Sequence, residues 1–475
     1  MKKITLLLCC LMVNLCAVAQ QYMDTTEKPT YKKVEKSFKF RVSFTDKKDC
    51  GYSVKKPEAF LSTKAIERRK RYGLKIDEHD LPLTPAYVKA LTNMGLRVHN
   101  QSKWNNTIVV QTADSMVMQR VRKLAFVKNA RCVWESPDSV MVVTGQPKRE
   151  SLVTNKRDTT LADYYGYGAK QVRMLGVDHL HKAGFTGKGV TIAVIDGGFF
   201  NADLIRGFDH THILGTRNFV RPEKSVYEEL DHGMMVLSCI AANEPNYLVG
   251  TAPEASFYLL QSEDGETEQL IEEDNWCAAV EYADSLGCDV ITSSLGYQQF
   301  DHEYMNHHYW EMDGQTALNS CSASLAASRG MLLLNSAGNS GDDTWKKIGF
   351  PADACDMLTV GAVTKDKKNA FFSSVGNTSD DRIKPDVMAV GVNSDVYDDD
   401  GTIVEVNGTS FSCPTMCGAV ACLVQAFPHR RPTEFIKALQ QSADNAAHPD
   451  NIFGYGIPNV ERAARILKTT PLKKG

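Results

Sequence analysis

The chain has 475 residues, of which 43% are hydrophobic and 23% are charged, and its formal net charge at pH 7 is -3. This length predicts two or three domains, and the composition is that of an ordinary globular protein. The near-neutral charge gives no electrostatic reason to expect a nucleic-acid partner, so the partner must be inferred from the candidate site.

The first residues have the pattern of a processing signal. Two lysines give a positive start, an apolar stretch follows, and Ala17-Val18-Ala19 forms a small-residue cleavage site. The pattern predicts a signal peptide over residues 1–19, cleaved before Gln20, and a secreted protein that is periplasmic or extracellular. The apolar stretch is short for a membrane span and no second one follows, so no membrane span is expected. A lipid anchor on Cys16 is the alternative, although Leu15 is bulky where lipoprotein signals have a small residue.

A separate unit follows the signal. Apolar and polar residues alternate over Phe38 to Phe44, as in a half-buried strand. Capping residues and apolar runs predict, in order, a helix opened by Thr84-Pro85, strands at Leu96 to His99 and Thr107 to Gln111, a helix from Ser115 to Lys123, and a strand at Arg131 to Trp134. This order is that of a small α+β ferredoxin-like domain. We expect it to occupy residues 20–150, with a linker to about residue 160.

The linker, from Ser136 to Thr160, is polar and has no apolar periodicity. Exposed polar linkers are where nicking occurs, so this segment is the predicted processing region. It contains two basic pairs, Lys148-Arg149 and Lys156-Arg157. These pairs are either recognition points for another protease or ordinary solvated surface charges.

From Val172 onward, predicted strands alternate with predicted helices. Continuous apolar runs, as in parallel strands covered on both faces, occur at Val190 to Ile195, Phe257 to Leu260, Asp289 to Thr292, Met331 to Leu334 and Leu358 to Val360. Helices fit between them at Met234 to Ala242, Glu268 to Leu286, and Ala317 to Ser328. This order predicts an α/β domain with a doubly wound parallel sheet over residues 161–475.

Four short patterns fall at strand ends or helix starts, where α/β proteins hold their chemistry. They are Val194-Ile195-Asp196-Gly197-Gly198, Asp231-His232-Gly233, Ser336-Ala337-Gly338-Asn339 and Asn407-Gly408-Thr409-Ser410-Phe411-Ser412-Cys413-Pro414. Together they supply an acid, a base, an amide donor and a nucleophile. The set predicts a hydrolase.

The chemistry explains why these residue types belong together. A serine hydroxyl is a poor nucleophile at neutral pH, so a neighbouring imidazole must take its proton, and the ordinary histidine pKa near ~6.5 suits that base. His232 is the candidate base and Ser410 the candidate nucleophile. Asp196 can fix the imidazole tautomer and stabilise the imidazolium. Each residue alone is more often a cap or turn residue, so the prediction depends on the combination.

The segment from Tyr164 to Leu467 resembles the subtilisin family of serine peptidases, the subtilases. The triad order of that family, Asp then His then Ser, falls on Asp196, His232 and Ser410. The resemblance implies a secreted endopeptidase that hydrolyses peptide bonds through an acyl-enzyme on Ser410, with Asn339 as a second oxyanion donor. It also implies that the N-terminal domain is a propeptide that chaperones folding and inhibits the enzyme. A permanent accessory domain is the alternative.

The resemblance also extends to substrate binding. Ser294-Leu295-Gly296 resembles the segment that pairs with extended substrate backbone and lines one wall of the first specificity pocket, and Ala337 and Gly338 belong to the opposite wall. Backbone pairing implies protein or peptide substrates. The absence of a Gly-x-Ser-x-Gly pattern around Ser410 disfavours a lipase-like esterase. A catalytically silent peptide-binding protein and an exopeptidase on the same fold stay as alternatives.

Two residues depart from the family pattern. Gly197 stands where most subtilases have Ser or Thr, and Met234 stands where Thr usually follows His-Gly. Neither change removes a proton-transfer group. Both put local packing, and hence turnover, in question.

No metal ligand is assigned and no cofactor is required for this chemistry. The histidine-rich tract at residues 301–308 has Asn306 where a zinc-protease helix needs its second histidine, so a polar surface loop is expected. Asp398-Asp399-Asp400 precedes an apolar run and predicts a hairpin turn. Structural calcium at such acidic loops is the alternative that the resemblance implies. The cysteines after the signal are spread singly, and most are expected to be buried apolar residues, with disulfides as the minor case.

Overall fold

The computed structural model of the protein describes residues 30–142, 148–157 and 160–471. The predicted signal peptide and part of the predicted linker lie outside these ranges. Within them, no helix combines the length and the apolar character that crossing a membrane requires.

The N-terminal part of the chain folds into strands and short helices. In chain order they are β1 (Thr30–Lys33), β2 (Phe38–Phe44), α1 (Thr63–Arg71), α2 (Pro85–Thr92), β3 (Arg97–Ser102), β4 (Thr107–Thr112), α3 (Val117–Val121), β5 (Val127–Glu135) and β6 (Ser139–Val142). Strands β1 and β6 pair antiparallel within a compact unit that contains the described residues 30–36 and 136–142. Residues 37–135 belong with residues 148–157 and 160–471 to a second compact unit.

Strands β2 to β5 form an antiparallel sheet in the order β3-β4-β2-β5. Alternate residues of β2, Phe40, Val42 and Phe44, are buried in a core that also takes residues of α2 and α3. The period-2 pattern therefore places one face of the sheet against two helices. The predicted ferredoxin-like order of strands and helices is confirmed. Helix α1, inserted between β2 and α2, was missed.

The rest of the chain is an α/β domain. Its elements are α4 (Ala169–Leu175), α5 (Val177–Lys182), β7 (Thr191–Asp196), β8 (His212–Asn218), α6 (His232–Ala241), β9 (Asn243–Glu244), β10 (Leu248–Val249), β11 (Ser256–Gln261), α7 (Ile271–Leu286), β12 (Val290–Ser293), α8 (Leu318–Ser328), β13 (Leu332–Ser336), β14 (Met357–Val363), β15 (Val387–Val390), β16 (Ser394–Tyr397), β17 (Ile403–Val406), α9 (Thr409–Ala426), α10 (Pro432–Ser442) and α11 (Val460–Thr469). Short 3-10 helices lie at Pro57–Ala59, Glu78–Asp80, Arg149–Ser151, Arg206–Phe208, Glu303–Met305 and Tyr309–Glu311.

Seven parallel strands form the central sheet, in the order β15-β14-β13-β12-β7-β11-β8. All six residues of β7 are buried, as expected for a strand covered on both faces. Ile192 and Val194 of β7 belong to the core that contains α6 and α9, whereas Ala193 and Ile195 belong to the core that contains α7. Helices therefore cover both faces, and the predicted doubly wound sheet is confirmed.

Two edge strands, β8 and β15, were not predicted. The hairpin of β16 and β17 has the predicted turn at Asp398-Asp399-Asp400. Placing the strands in this order brings the carboxyl ends of β7, β11, β12 and β13 to one edge of the sheet, where the four sequence patterns also lie.

Helix α1 connects the N-terminal layer to the α/β domain through buried charges. Arg68 and Arg69 are 2% and 1% exposed, and both donate hydrogen bonds to the carboxylate of Asp284 on α7. Arg69 also pairs with Asp80 at 2.9 Å. Burial would raise the pKa of Asp284, but the neighbouring Arg68, Arg69 and Lys103 outweigh it and lower that pKa. Breaking a buried ion pair on one side leaves an uncompensated charge, so this contact should hold the two layers together.

We expect Arg68→Met, in full-length protein that also carries Ser410→Ala to prevent self-cleavage, to destabilise the fold by about 3 kcal/mol, since Asp284 loses one of its two guanidinium partners inside the protein. The control is Lys70→Met, an exposed position on the same helix. Urea denaturation of both variants and the parent measures the effect. Equal midpoints for Arg68→Met and Lys70→Met would show that the buried pair does not stabilise the assembly.

Candidate active site

Asp196 is the last residue of the buried central strand β7, and its side chain is fully buried. Its Oδ1 lies 2.6 Å from Nδ1 of His232 and also accepts the backbone N–H of Gly197 at 2.8 Å. The sheet fixes the position of the carboxylate, and the carboxylate fixes which imidazole nitrogen carries the proton.

His232 is the first residue of helix α6, with Asp231 at the N-cap. The side chain of His232 is 38% exposed, so part of the ring is open to solvent. Burial lowers the pKa of His232, but the carboxylates of Asp196, Asp231 and Glu263 outweigh it and raise that pKa to about 8. Asp196 therefore holds the ring at Nδ1, and Nε2 is left available for proton transfer.

Ser410 is the second residue of helix α9 and is 6% exposed. The ring of the next residue, Phe411, lies 5.8 Å from the ring of His232, which brings the start of α9 to the imidazole. In the described part of the chain Ser410 Oγ donates to the backbone carbonyl of Ser294 at 3.4 Å, and no bond joins it to His232. Because such bonds are often long or misaligned without substrate, this geometry is compatible with Ser410 as the candidate nucleophile.

Asn339 lies in the loop after β13 and its side chain is anchored to the start of α9. Its Oδ1 accepts hydrogen bonds from Thr409, from N–H at 3.0 Å and from Oγ1 at 2.9 Å. Since the oxygen is used in this way, the amide nitrogen is left as the donor, and a Cβ added at Gly408 would lie 3.6 Å from it. Gly338 has φ of 102°, and an added Cβ would lie 2.9 Å from Ser374 Oγ, so the loop needs glycine there.

The predicted substrate-binding residues lie around the same edge. Ser294 Oγ donates to the carbonyl of Ser410 at 2.9 Å, and the carbonyl of Leu295 accepts from Asn335 at 2.8 Å. Gly296 is exposed, and an added Cβ there would lie 3.8 Å from Gly349. The Gly349 N–H in turn donates to the carbonyl of Ala337 at 3.2 Å. The structure thus joins the segments containing Gly296 and Ala337 through Gly349.

Comparisons with known proteins identify the family of the chain. Residues 187–456, more than half of the chain, match the subtilase family (peptidase S8), and residues 39–150 match the peptidase S8 propeptide domain of Bacteroidota. The chain belongs to the subtilase family. It is therefore a serine-type hydrolase preceded by a propeptide domain.

Among its relatives, Subtilisin NAT from Bacillus subtilis subsp. natto is 27% identical over 406 residues, which cover 81% of this chain and 97% of that protein. Subtilisin DY from Bacillus licheniformis is 29% identical over 299 residues, covering 62% of this chain and 97% of that protein. The solved structure of the prenylagaramide maturation protease PagA superposes with a TM-score of 0.50 at 21% identity, covering 62% of this chain and 98% of that one. The likeness to PagA concerns the fold alone.

The two departures from the usual subtilase pattern have structural consequences. A Cβ added at Gly197 would lie 3.3 Å from Leu230 and 3.5 Å from Glu263, so the missing side chain makes room for both. Asp196 Oδ2, which is buried, has no hydrogen-bond partner among the described residues. Met234 is fully buried in the core. Both departures therefore change packing around the acid and base and leave those two groups in place.

Sequence reasoning missed Glu263 and Tyr297 beside this site. Glu263 comes two residues after β11, and the hydroxyl of Tyr297 donates to its carboxylate at 2.6 Å. Burial and the nearby charge of Asp196 raise the pKa of Glu263 to about 7, against the lowering effect of the hydrogen bond from Tyr297. The available signal was an acidic residue just after the strand that neighbours β7. It was not used because glutamate after a strand is usually solvated.

The histidine-rich loop and the cysteines take structural positions. Residues 303–305 form a 3-10 turn rather than an α-helix, and His307 is hydrogen-bonded to Glu273 and Glu311. The loop also exposes Tyr304 and Trp310, as predicted for a surface loop. Seven of the ten described cysteines are buried, as expected.

We expect the His232 imidazole to titrate near pH 8 in the full-length Ser410→Ala protein, because the charge of Asp196 favours the imidazolium. Since this pKa is raised on folding, the pair stabilises the fold below pH ~6.5 and that stabilisation is lost as the pH rises through about 8. Asp196→Asn should lower the titration midpoint of His232, and substitution of the exposed Asp366 in Asp366→Asn should not. NMR titration of the imidazole measures this, and an unshifted midpoint in Asp196→Asn would contradict the assigned pairing.

Proposed function

We propose that this subtilase is a secreted serine endopeptidase that uses Asp196, His232 and Ser410 as its catalytic triad and is made as a precursor inhibited by its own N-terminal domain. The observation that carries the proposal is the 2.6 Å contact between Asp196 and His232, with the imidazole facing the start of the helix that holds Ser410. The residues that flank this contact come from separate strands and helices, so their convergence depends on the whole fold.

In the proposed reaction, His232 removes the proton of Ser410 as the oxygen attacks the scissile carbonyl. Asp196 keeps the proton of the imidazole on Nδ1 and stabilises the imidazolium that forms. His232 then gives the proton to the leaving amine, and an acyl-enzyme is left on Ser410. Water, activated by the same imidazole, releases the acyl group and restores the hydroxyl.

The negative oxygen that develops on the carbonyl needs donors. Asn339 supplies its side-chain amide, whose direction is fixed because Thr409 occupies the amide oxygen. The N-terminus of α9 supplies backbone N–H groups and a favourable dipole at Ser410. These donors are positioned before the reaction, so little reorganisation is needed in the transition state.

Substrate specificity is proposed to depend on the peptide backbone. Ser294, Leu295 and Gly296 present main-chain groups along the cleft, and Ala337 and Gly338 close the opposite side. Pairing of this kind suits an extended peptide of varied sequence. An endopeptidase on this fold should cut a protein whose termini are both blocked, whereas an exopeptidase should not.

The N-terminal domain covers helix α7 of the catalytic domain with polar contacts that favour an inhibitor bound in one defined pose. Arg41 on β2 makes a bidentate pair with Asp274, both contacts at 2.7 Å. Glu281 accepts the backbone N–H groups of Lys103 and Trp104 at 2.8 and 3.2 Å. At the end of β5, Glu135 exchanges two backbone to side-chain hydrogen bonds with Gln269, 2.8 and 2.9 Å long.

The processing site is proposed to lie in the linker between Glu135, the last residue of β5, and Lys148. Arg149 pairs with Asp203 at 2.6 Å, and Arg157 pairs with Glu244. Both basic pairs are therefore partly engaged by the catalytic domain, which disfavours them as sites for another protease. The predicted signal peptide, which lies outside the described residues, would direct the precursor to the periplasm or the exterior.

Ser410→Ala should abolish peptide hydrolysis and also leave the precursor uncut, about fourteen kilodaltons heavier than the processed parent, taking ~110 Da for each of ~130 residues. Ser412→Ala, a buried hydroxyl on the same helix outside the proposed triad, is the matched control and should process normally. Intact mass and N-terminal sequencing from the same host measure this.

Each outcome of that comparison is informative. Hydrolysis by purified Ser410→Ala within tenfold of the parent would refute the nucleophile. An active and uncut parent would refute the inhibitor role of the N-terminal domain. Cleavage of parent and Ser410→Ala at the same bond would refute self-processing alone.

Asn339→Ala should lower turnover by roughly 10² with little change in Michaelis constant, because its amide acts mainly on charge that develops in the transition state. Asn339→Asp is the informative partner variant, since it keeps an oxygen for Thr409 and loses the donor. Steady-state kinetics on a peptide substrate should show both variants impaired. Full turnover in Asn339→Asp would mean that Asn339 only supports the loop.

A further inference from the structure

Three glutamates meet beside the catalytic acid in a cluster that the proposed reaction does not use. Glu263 follows β11, Glu268 lies in the turn after it, and Glu272 is in the first turn of α7. Each offers a carboxylate oxygen, and these three oxygens lie within 4.8 Å of one another. Over the described ranges of the chain, no lysine, arginine or histidine forms an ion pair with any of the three.

Glu272 gives an independent sign that a ligand belongs there. Its side chain is fully buried, and its Oε1 accepts the backbone N–H of Asp264 at 2.8 Å. Its Oε2 is also buried and has no hydrogen-bond partner within the described residues. A buried carboxylate oxygen without a partner is strongly unfavourable, so a group outside the chain is needed to compensate it.

The surrounding charges do not supply that compensation. Arg221, the nearby guanidinium, is used by Glu229, Asp264 and Glu266 at 2.9, 2.8 and 3.1 Å. Three carboxylates whose oxygens lie this close repel one another when they are charged, and a cation between them would remove that repulsion.

We propose that Glu263, Glu268 and Glu272 form a binding site for one calcium ion. Calcium takes oxygen ligands at about 2.3–2.6 Å, so oxygens on opposite sides of one ion stand roughly 4.6–5.2 Å apart, and three oxygens within 4.8 Å fit around it. The exposed position of Glu268 gives water access to complete the coordination.

The ammonium or guanidinium group of a substrate side chain is a less suitable occupant. It would bring one positive charge to three carboxylates. A side-chain cation would also have to reach the fully buried Glu272, whereas a small metal ion is compact enough to do so.

The ion would connect the turn between β11 and α7 to the substrate cleft. Glu263 lies against Gly197, the residue after the catalytic acid, and it accepts the hydroxyl of Tyr297, which directly follows Gly296. The glycine at position 197 leaves the room that Glu263 occupies. Calcium would therefore fix one wall of the cleft, a role that goes beyond the proposed peptidase activity and does not depend on it.

The test uses full-length Ser410→Ala protein, stripped with EDTA and dialysed, so that neither cleavage nor activity enters the readout. Isothermal titration with calcium chloride should show one equivalent of bound calcium that is lost in Glu272→Gln. Binding should be at least tenfold weaker in Glu268→Gln, an exposed position whose substitution does not threaten folding. Asp399→Asn, in the separate acidic hairpin turn, is the matched control and should keep this equivalent.

The proposal is overturned if the parent binds no calcium, if the two glutamine variants bind it as the parent does, or if magnesium chloride binds more tightly than calcium chloride. It is also overturned if calcium does not bind and Glu268→Gln, in active processed enzyme, lowers hydrolysis of lysine- or arginine-containing peptides at least tenfold relative to neutral ones. That result would make the cluster a subsite for cationic side chains.

Discussion

The charge of Asp196 at the carboxyl end of a fully buried strand is the constraint on which the rest of the site depends. The side chain has no exposure to water, and its described partners are the Gly197 N–H and the His232 imidazole. A buried carboxylate is tolerated only when it is paired and hydrogen-bonded. The sheet therefore fixes the acid, the acid fixes the base at the start of α6, and the base sets where α9 must present Ser410.

Buried carboxylates that need partners also occur on helix α7, where there are several. Asp274, Glu281 and Asp284 are all nearly buried, and each is paired or hydrogen-bonded by the N-terminal layer. These carboxylates would face water if the propeptide domain left, so the catalytic domain has a charged surface that only a matching layer can cover. Hydrogen-bonded charges of this kind give geometric specificity more readily than net stability. This fits an inhibitor that must dock in one pose and later separate.

The sequence predicted the central strands, the covering helices and the order of the N-terminal elements, because buried strands and amphipathic helices carry a local periodic pattern. It also predicted a triad of Asp196, His232 and Ser410 from strand ends and helix starts, and the structure brings Asp196 and His232 into contact, while the catalytic roles stay a prediction. The sequence analysis missed helix α1 and the buried carboxylates of α7. An arginine or an acidic residue on a helix is normally interpreted as solvent-exposed unless its distant partner is known. Glu263 and Glu272 were missed for the same reason, because their proximity to the site depends on the pairing of β11 with β7.

The proposed peptidase activity requires Ser410 to be a nucleophile activated by His232, and chemical labelling tests this most directly. Processed enzyme treated with a fluorophosphonate should gain one covalent adduct, and peptide mapping by mass spectrometry should place it on Ser410. The adduct should form much more slowly in His232→Ala. Absence of an adduct on folded, processed protein, or an adduct on a different residue, would contradict the assignment.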